Sequence, residues 1–188
     1  HAVQTAEVMQ RFEPIILAER PDWLLVYGDV NSTVATALVA TKLQIPVAHV
    51  EAGLRSFDRR MPEEINRLLT DQIASLLLTP SADGNENLRR EGVAEEKIHL
   101  VGNVMIDTLL RLLPQAEAQW PGLRTQYGLT EYGLVTLHRP SNVDDAEMLP
   151  RLLHTLDTIG ERLPLFFPVH PRTRKRMADL GLEVDNNR

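Results

Sequence analysis

The chain contains no cysteine among its 188 residues. Disulfides, thiolate metal sites and a cysteine nucleophile are thereby excluded, and a reducing compartment, the cytoplasm, is expected. It also lacks any apolar run near the roughly 20 residues that a transmembrane helix needs, so no membrane partner is expected. Residues 1–20 are interrupted by Gln, Glu and Arg, unlike the apolar stretch of a secretory signal. The formal net charge of −6 disfavours a polyanion-binding surface and hence a nucleic-acid partner. The glycine-rich fingerprints of dinucleotide and P-loop sites are missing, as is the G-x-S-x-G of many serine hydrolases. What remains is an ordinary globular composition, 43% apolar and 24% charged, long enough for one large domain or two small ones.

Short apolar runs alternate with helical periodicity. Val8, Phe12, Ile15 and Ile16 predict a first helix, bent near Pro14, whose nitrogen cannot donate an interior hydrogen bond. Trp23 to Tyr27 reads as a parallel strand covered on both faces. Gly28-Asp29 turns the chain, and Asn31 or Ser32 can cap a helix carrying Ala35, Leu38, Val39 and Leu43 inward. Pro46 to Val50 is the next strand. Pro62 suits the first position of a helix with acids in its opening turn and a stripe of Ile65, Leu68, Leu69 and Ile73. A strand at Leu76 to Leu78, a helix from Ala82 to a stop at Gly92, a strand at Ile98 to Val101 and a helix with Met105, Leu109, Leu112 and Leu113 complete the first block. Such β-α-β-α succession implies an α/β fold with a parallel sheet and helices on both faces.

Pro114, Pro121, Gly122 and Gly128 make residues 114–130 the best linker in the chain. A second β-α-β unit follows: Gly133 to Leu137, a helix with Leu149, Leu152, Leu153, Leu156 and Ile159, and Leu165 to Val169. Pro150 falls inside that helical pattern and marks a start of its straight part. Domains are therefore expected at 1–117 and 118–188. Two strands with two helices bury too little for an independent domain, so the ending at Asp185-Asn186-Asn187-Arg188 reads as a truncation.

Three carboxylates stand where apolar runs end or a helix begins: Asp29, Glu51 and Glu63. Asp29 could cap the following helix or meet a ligand, because open α/β sheets bind ligands beyond the C-terminal ends of their strands. Glu51 could pair with Arg55 or Arg59, or line a pocket that Ala52-Gly53 opens to close backbone approach. Glu63 and Glu64 both suit a helix dipole, and helix geometry lets only one of them face a site. His138-Arg139 and His170 each follow an apolar run, a placement that suits a diphosphate. Two histidines without H-x₃-H spacing or a third ligand predict no metal. Arg172, Arg174, Lys175 and Arg176 form either a solvated helix face or a phosphate site.

Taken in order, G-D-V-N-S-T, H-V-E-A-G-L-R, P-E-E-I-N-R, V-G-N-V-M-I-D and H-R-P-S-N resemble the bacterial and archaeal non-hydrolysing UDP-N-acetylglucosamine 2-epimerases, from about Gln10 to Arg176. The resemblance implies a GT-B-like architecture of two Rossmann-like domains with parallel sheets, both incomplete here. It implies reversible C2 epimerisation of UDP-N-acetylglucosamine to UDP-N-acetylmannosamine, by anti elimination of UDP and re-addition through a 2-acetamidoglucal. Such chemistry needs a base on one face, an acid on the other and groups that hold the leaving diphosphate. Matched motif by motif, Asp29, Glu51, Glu63 and His138 fall on the family's catalytic positions. Asp29 and Glu63 would be the acid/base pair, Glu51 would orient substrate, and His138 would serve the diphosphate. Arg139, Asn142 and His170 would bind UDP-sugar, including an activating second molecule. No cofactor is implied; a cytoplasmic homodimer feeding cell-surface polysaccharide synthesis is.

Hydrolysing relatives differ at the segment of H-R-P-S-N and after Asp29, which favours the non-hydrolysing branch. A hydrolysing epimerase, a GT-B glycosyltransferase and a non-catalytic nucleotide-sugar-binding fragment are the alternatives. The family's opening strand and its Gly-Thr-Arg-Pro loop have no counterpart here, nor do its later UDP-binding segments. The 188 residues alone are therefore expected to show no appreciable turnover, and their sheet to expose apolar edges.

Overall fold

Four short apolar runs form one parallel sheet: β1 (Leu24–Tyr27), β2 (Val47–Val50), β3 (Leu76–Thr79) and β4 (Ile98–Leu100), adjacent in that order. These belong to a computed structural model that describes residues 1–182; the ending at 185–188 lies outside the described residues. Every residue of β2 is buried, as a central parallel strand requires. The register sets Val26 beside His49 and Leu77 between His49 and Ile98. Helices α1 (Ala2–Glu19), α2 (Asn31–Lys42), α3 (Pro62–Ile73) and α4 (Ala82–Arg90) pack around this sheet, and α5 (Val104–Tyr127) follows β4. The core joins Ile16, Val26, Val39, Val47, Leu77, Leu88 and Ile98.

Several expectations need correcting. Helix α1 runs through Pro14, and its inward stripe is Met9, Phe12 and Ile16, with Ile15 exposed. Strand β1 is covered on one face only: Val26 is buried while Leu25 and Tyr27 are exposed. Neither Asn31 nor Ser32 caps α2; Val30 takes that position without a side-chain bond, and the Asn31 amide donates to Gln4 at 2.7 Å. Helix α3 buries Glu64, Asn66, Thr70 and Asp71 and leaves Ile65 and Leu69 exposed. Its apolar stripe therefore faces away from the sheet; only Ile73, at its end, packs on the core.

The expected linker is helical. Helix α5 includes Pro114 and Pro121, held by strong helix formers in Gln115-Ala116-Glu117-Ala118-Gln119. The chain divides into two compact units, His1–Leu112 and Leu113–Arg188. In the second, β5 (Gly133–Leu134) and β6 (Leu165–Phe166) pair in parallel and are shorter than expected. With them come α6 (Pro140–Val143), α7 (Met148–Gly160) and α8 (Pro171–Asp179). Pro150 sits in the first turn of α7, where its missing N–H breaks no helical bond. Val143, Leu149 and Met177 form the small buried centre of this unit. No helix of the described residues is long and apolar enough to cross a membrane.

Candidate active site

The C-terminal ends of β1 and β2 bring two of the predicted acids together. Gly28 turns with φ 62°, and its N–H donates to the Val50 carbonyl at 3.2 Å. A Cβ added to Gly28 would lie 3.5 Å from Glu51 Oε2, so the Glu51 carboxylate rests against the turn that carries Asp29. Glu51 itself has φ 75°, a conformation that costs a non-glycine residue of the order of 1–3 kcal/mol. The turn is over-determined: the N–H groups of Glu51 and Ala52 both donate to the Leu78 carbonyl, at 3.0 and 3.1 Å. Gly53 is obligatory here, because a side chain at its φ of 80° would collide with the Gly84 carbonyl in α4.

Helix α3 supplies the opposite wall. The Arg67 guanidinium pairs with Asp29 Oδ2 and lies 3.4 Å from Glu64 Oε2. Asn66 donates to the Asp29 carbonyl at 2.9 Å and to Asn31 Oδ1 at 3.1 Å, fixing the backbone of the same turn. Glu64 accepts from the Ser56 N–H and hydroxyl at 3.0 and 2.9 Å and from the Phe57 N–H at 3.0 Å. Burial works to raise this carboxyl, but the Ser56 and Phe57 donors and the Arg67 charge outweigh it and hold Glu64 below the ordinary glutamate value. Glu63 is half-buried and makes no side-chain hydrogen bond or ion pair among the described residues.

Beneath this surface lies a buried ionic group that the motifs did not announce. His49 Nδ1 lies 2.6 Å from Asp71 Oδ1, and its Nε2 lies 2.9 Å from the Gly28 carbonyl. Asp71 Oδ2 accepts from the Gly53 N–H at 3.1 Å and from Arg55 Nη2 at 2.8 Å. Arg55 therefore binds Asp71 and, by two bonds of 2.7 and 2.6 Å, Glu91, rather than Glu51 as one sequence alternative held. Burial lowers the Arg55 pKa and these carboxylates raise it, the carboxylates prevailing. One sequence signal could have found the inner face of α3: Glu64, Arg67 and Asp71 recur at helical spacing of three and four residues.

The second unit holds the other predicted residues. His138 and Arg139 are exposed between β5 and α6, and the N–H of half-buried Asn142 donates to the Arg139 carbonyl at 2.9 Å. His170 caps α8, its Nδ1 accepting from the Arg172 N–H at 3.2 Å. Because β5 and β6 run parallel side by side, the segments bearing His138 and His170 leave the same sheet edge. Buried Thr173 ties them, donating to the Leu137 carbonyl at 3.1 Å. In the basic cluster, Arg172 is engaged by Asp144 at 2.9 Å. No group of three His, Asp or Glu side chains among the described residues is arranged to hold a metal ion.

A family model described as UDP-N-acetylglucosamine 2-epimerase matches residues 1–187. The chain belongs to this family. It is 41% identical over 194 residues to the UDP-N-acetylglucosamine 2-epimerase of Methanococcus maripaludis, covering 100% of this chain and 53% of that protein. It is 44% identical over 188 residues to the UDP-2,3-diacetamido-2,3-dideoxy-D-glucuronate 2-epimerase of Pseudomonas aeruginosa, covering 98% of this chain and 52% of the relative. Among solved structures, the Methanocaldococcus jannaschii UDP-GlcNAc 2-epimerase in complex with UDP-GlcNAc and UDP matches with a TM-score of 0.86 and 46% identity, over 95% of this chain and 50% of that one. The chain thus spans about half the length of the relatives it matches, and its α/β fold with parallel sheets is of their GT-B-like class.

Proposed function

We propose that these residues belong to an enzyme that interconverts UDP-N-acetylglucosamine and UDP-N-acetylmannosamine without hydrolysis. The observation that carries the reading is the contact of the Glu51 carboxylate with the Gly28 turn, which sets Glu51 beside Asp29 at the ends of adjacent strands. In the forward direction a carboxylate removes the C2 proton while the C1–O bond to UDP breaks; its electron pair leaves with UDP and a C1=C2 double bond forms. Re-addition of a UDP oxygen at C1 then accompanies delivery of a proton to the other face of C2. Asp29 and Glu63 serve as the acid/base pair. Arg67 holds the Asp29 carboxylate in place, whereas Glu63, without a bonded partner among the described residues, keeps the freedom a proton carrier needs. Glu51, on its constrained turn, orients the sugar. His138, Arg139, Asn142 and His170 serve the diphosphate and nucleotide, which the parallel exit of their two segments supports. The same reading includes a cytoplasmic homodimer that needs no cofactor.

The Pseudomonas aeruginosa relative, at a similar identity, is named for a different UDP-sugar, and this supports a second reading in which the substrate is a 2,3-diacetamido uronate. The decisive experiment takes the protein extended to the length of its relatives and follows each UDP-sugar by proton NMR in D₂O. Deuterium incorporation at C2 with formation of the manno epimer is expected, and Asp29→Asn or Glu63→Gln is expected to slow it by about 10²- to 10⁴-fold. Free N-acetylmannosamine and UDP accumulating together would instead select the hydrolysing reaction, and transfer to an acceptor without C2 exchange a glycosyltransferase.

A further inference from the structure

His49 has no part in the proton transfers above, yet it is 1% exposed and lies directly below both turns of the site. The Gly28 carbonyl can only accept, so His49 Nε2 donates to it. Asp71 already receives the Arg55 guanidinium and the Gly53 N–H on Oδ2, which holds it as a carboxylate, so His49 Nδ1 donates to Oδ1. A neutral imidazole carries one N–H, and both bonds form only if the ring carries two. Arg55 is shared between two anions, Asp71 and Glu91, and His49 is bonded to the first of them, at a site where an unpaired charge would be costly.

We propose that His49 is a positioning residue for the acid/base machinery, its ring, bonded at both nitrogens, tying the Gly28–Asp29 turn to Asp71 and, through Asp71, to the Glu51–Gly53 turn. Beside the direct bond from the Gly28 N–H to the Val50 carbonyl, this is a second, side-chain link between the two turns: one ring spans from the Gly28 carbonyl to the carboxylate that also holds the Gly53 N–H. Asp29 follows Gly28 by one residue and Glu51 precedes Gly53 by two, so rotation of either turn moves a carboxylate relative to C2 of the substrate. The proposal rests on the epimerase reading.

Two amide substitutions separate the halves of the tie. His49→Gln places its amide nitrogen near Nε2 and keeps the donor to Gly28; His49→Asn places it near Nδ1 and keeps only the donor to Asp71. In the protein extended to its relatives' length, His49→Asn is expected to lower C2 deuterium exchange by about tenfold or more at nearly unchanged UDP-sugar affinity, since small misplacements of reacting groups carry losses of that order. His49→Gln, which leaves Asp71 Oδ1 without its donor, breaks the tie at the other end and is expected to lower exchange comparably. Exchange at the parental rate in either variant, or losses that merely follow the variants' thermal midpoints, would overturn the proposal. If the parent itself shows no exchange, the epimerase reading falls, and the positioning claim is judged by ¹⁵N NMR of the His49 ring. Nitrogen shifts that report a hydrogen bond at each ring nitrogen are expected; one nitrogen free of any bond refutes the tie.

Discussion

Glu63 and Glu64 stand side by side in the first turn of α3 and differ in every physical respect that matters. Glu64 is built into the loop before the helix by three donors from Ser56 and Phe57, while Glu63 is left for other work. Because the folded Glu64 pKa lies below the unfolded one, its contribution to stability is complete above the ordinary glutamate value of about 4.3 and is lost as pH falls through the lower folded value. Glu64→Gln is therefore expected to cost roughly 1.5–3 kcal/mol at neutral pH, the range for bonds to a charged group, and to flatten the acid limb of the stability curve. Urea unfolding of parent and variant across that limb tests this, and parallel curves would contradict it. The three acids stand out in the sequence as candidates because each follows an apolar run or opens a helix. For Arg67, Asn66 and Asp71 the sequence offers at most the helical spacing of Glu64, Arg67 and Asp71, since their partners lie 18 to 38 residues away and only the folded turns bring them into reach.

At the scale of elements, Leu77 in β3 is the best-placed apolar group of the sheet: fully buried and flanked in register by His49 and Ile98. Leu77→Ala is expected to destabilise the first unit by about 2–5 kcal/mol, read as a lowered urea midpoint at unchanged slope. All four strands of this sheet were legible to within a residue or two, because continuous apolar runs between turn residues have few other uses. The orientation of α3 was not. Its periodicity is strong, but hydrogen-bonded polar groups take the inner face, and apolar patterning points the wrong way whenever a site is built on a helix's inner side. The expected linker at 114–130 begins beside the division of the chain at Leu112–Leu113, yet it is helical as far as Tyr127, with a run of helix formers between its two prolines.

At the scale of the whole molecule, the relatives are about twice as long as this chain, and the predicted residues are divided between its two units. The purified 188-residue chain is accordingly expected to give no C2 deuteration of UDP-N-acetylglucosamine under conditions where the longer protein does. Formation of the manno epimer by these 188 residues alone would show that the further length of the relatives is dispensable for turnover. Helix α3 also carries a consequence for how such a sequence can drift. Its inner residues are bound two and three at a time, Asp71 to His49, Arg55 and Gly53, and Asn66 to Asp29 and Asn31. No single replacement at those positions leaves its partners content, so they change jointly or stay as they are. Ile65 and Leu69, the residues a hydropathy plot would single out as core, carry no such obligation to the sheet. Across a lineage, the side of α3 that looks like surface is thus the side expected to change least.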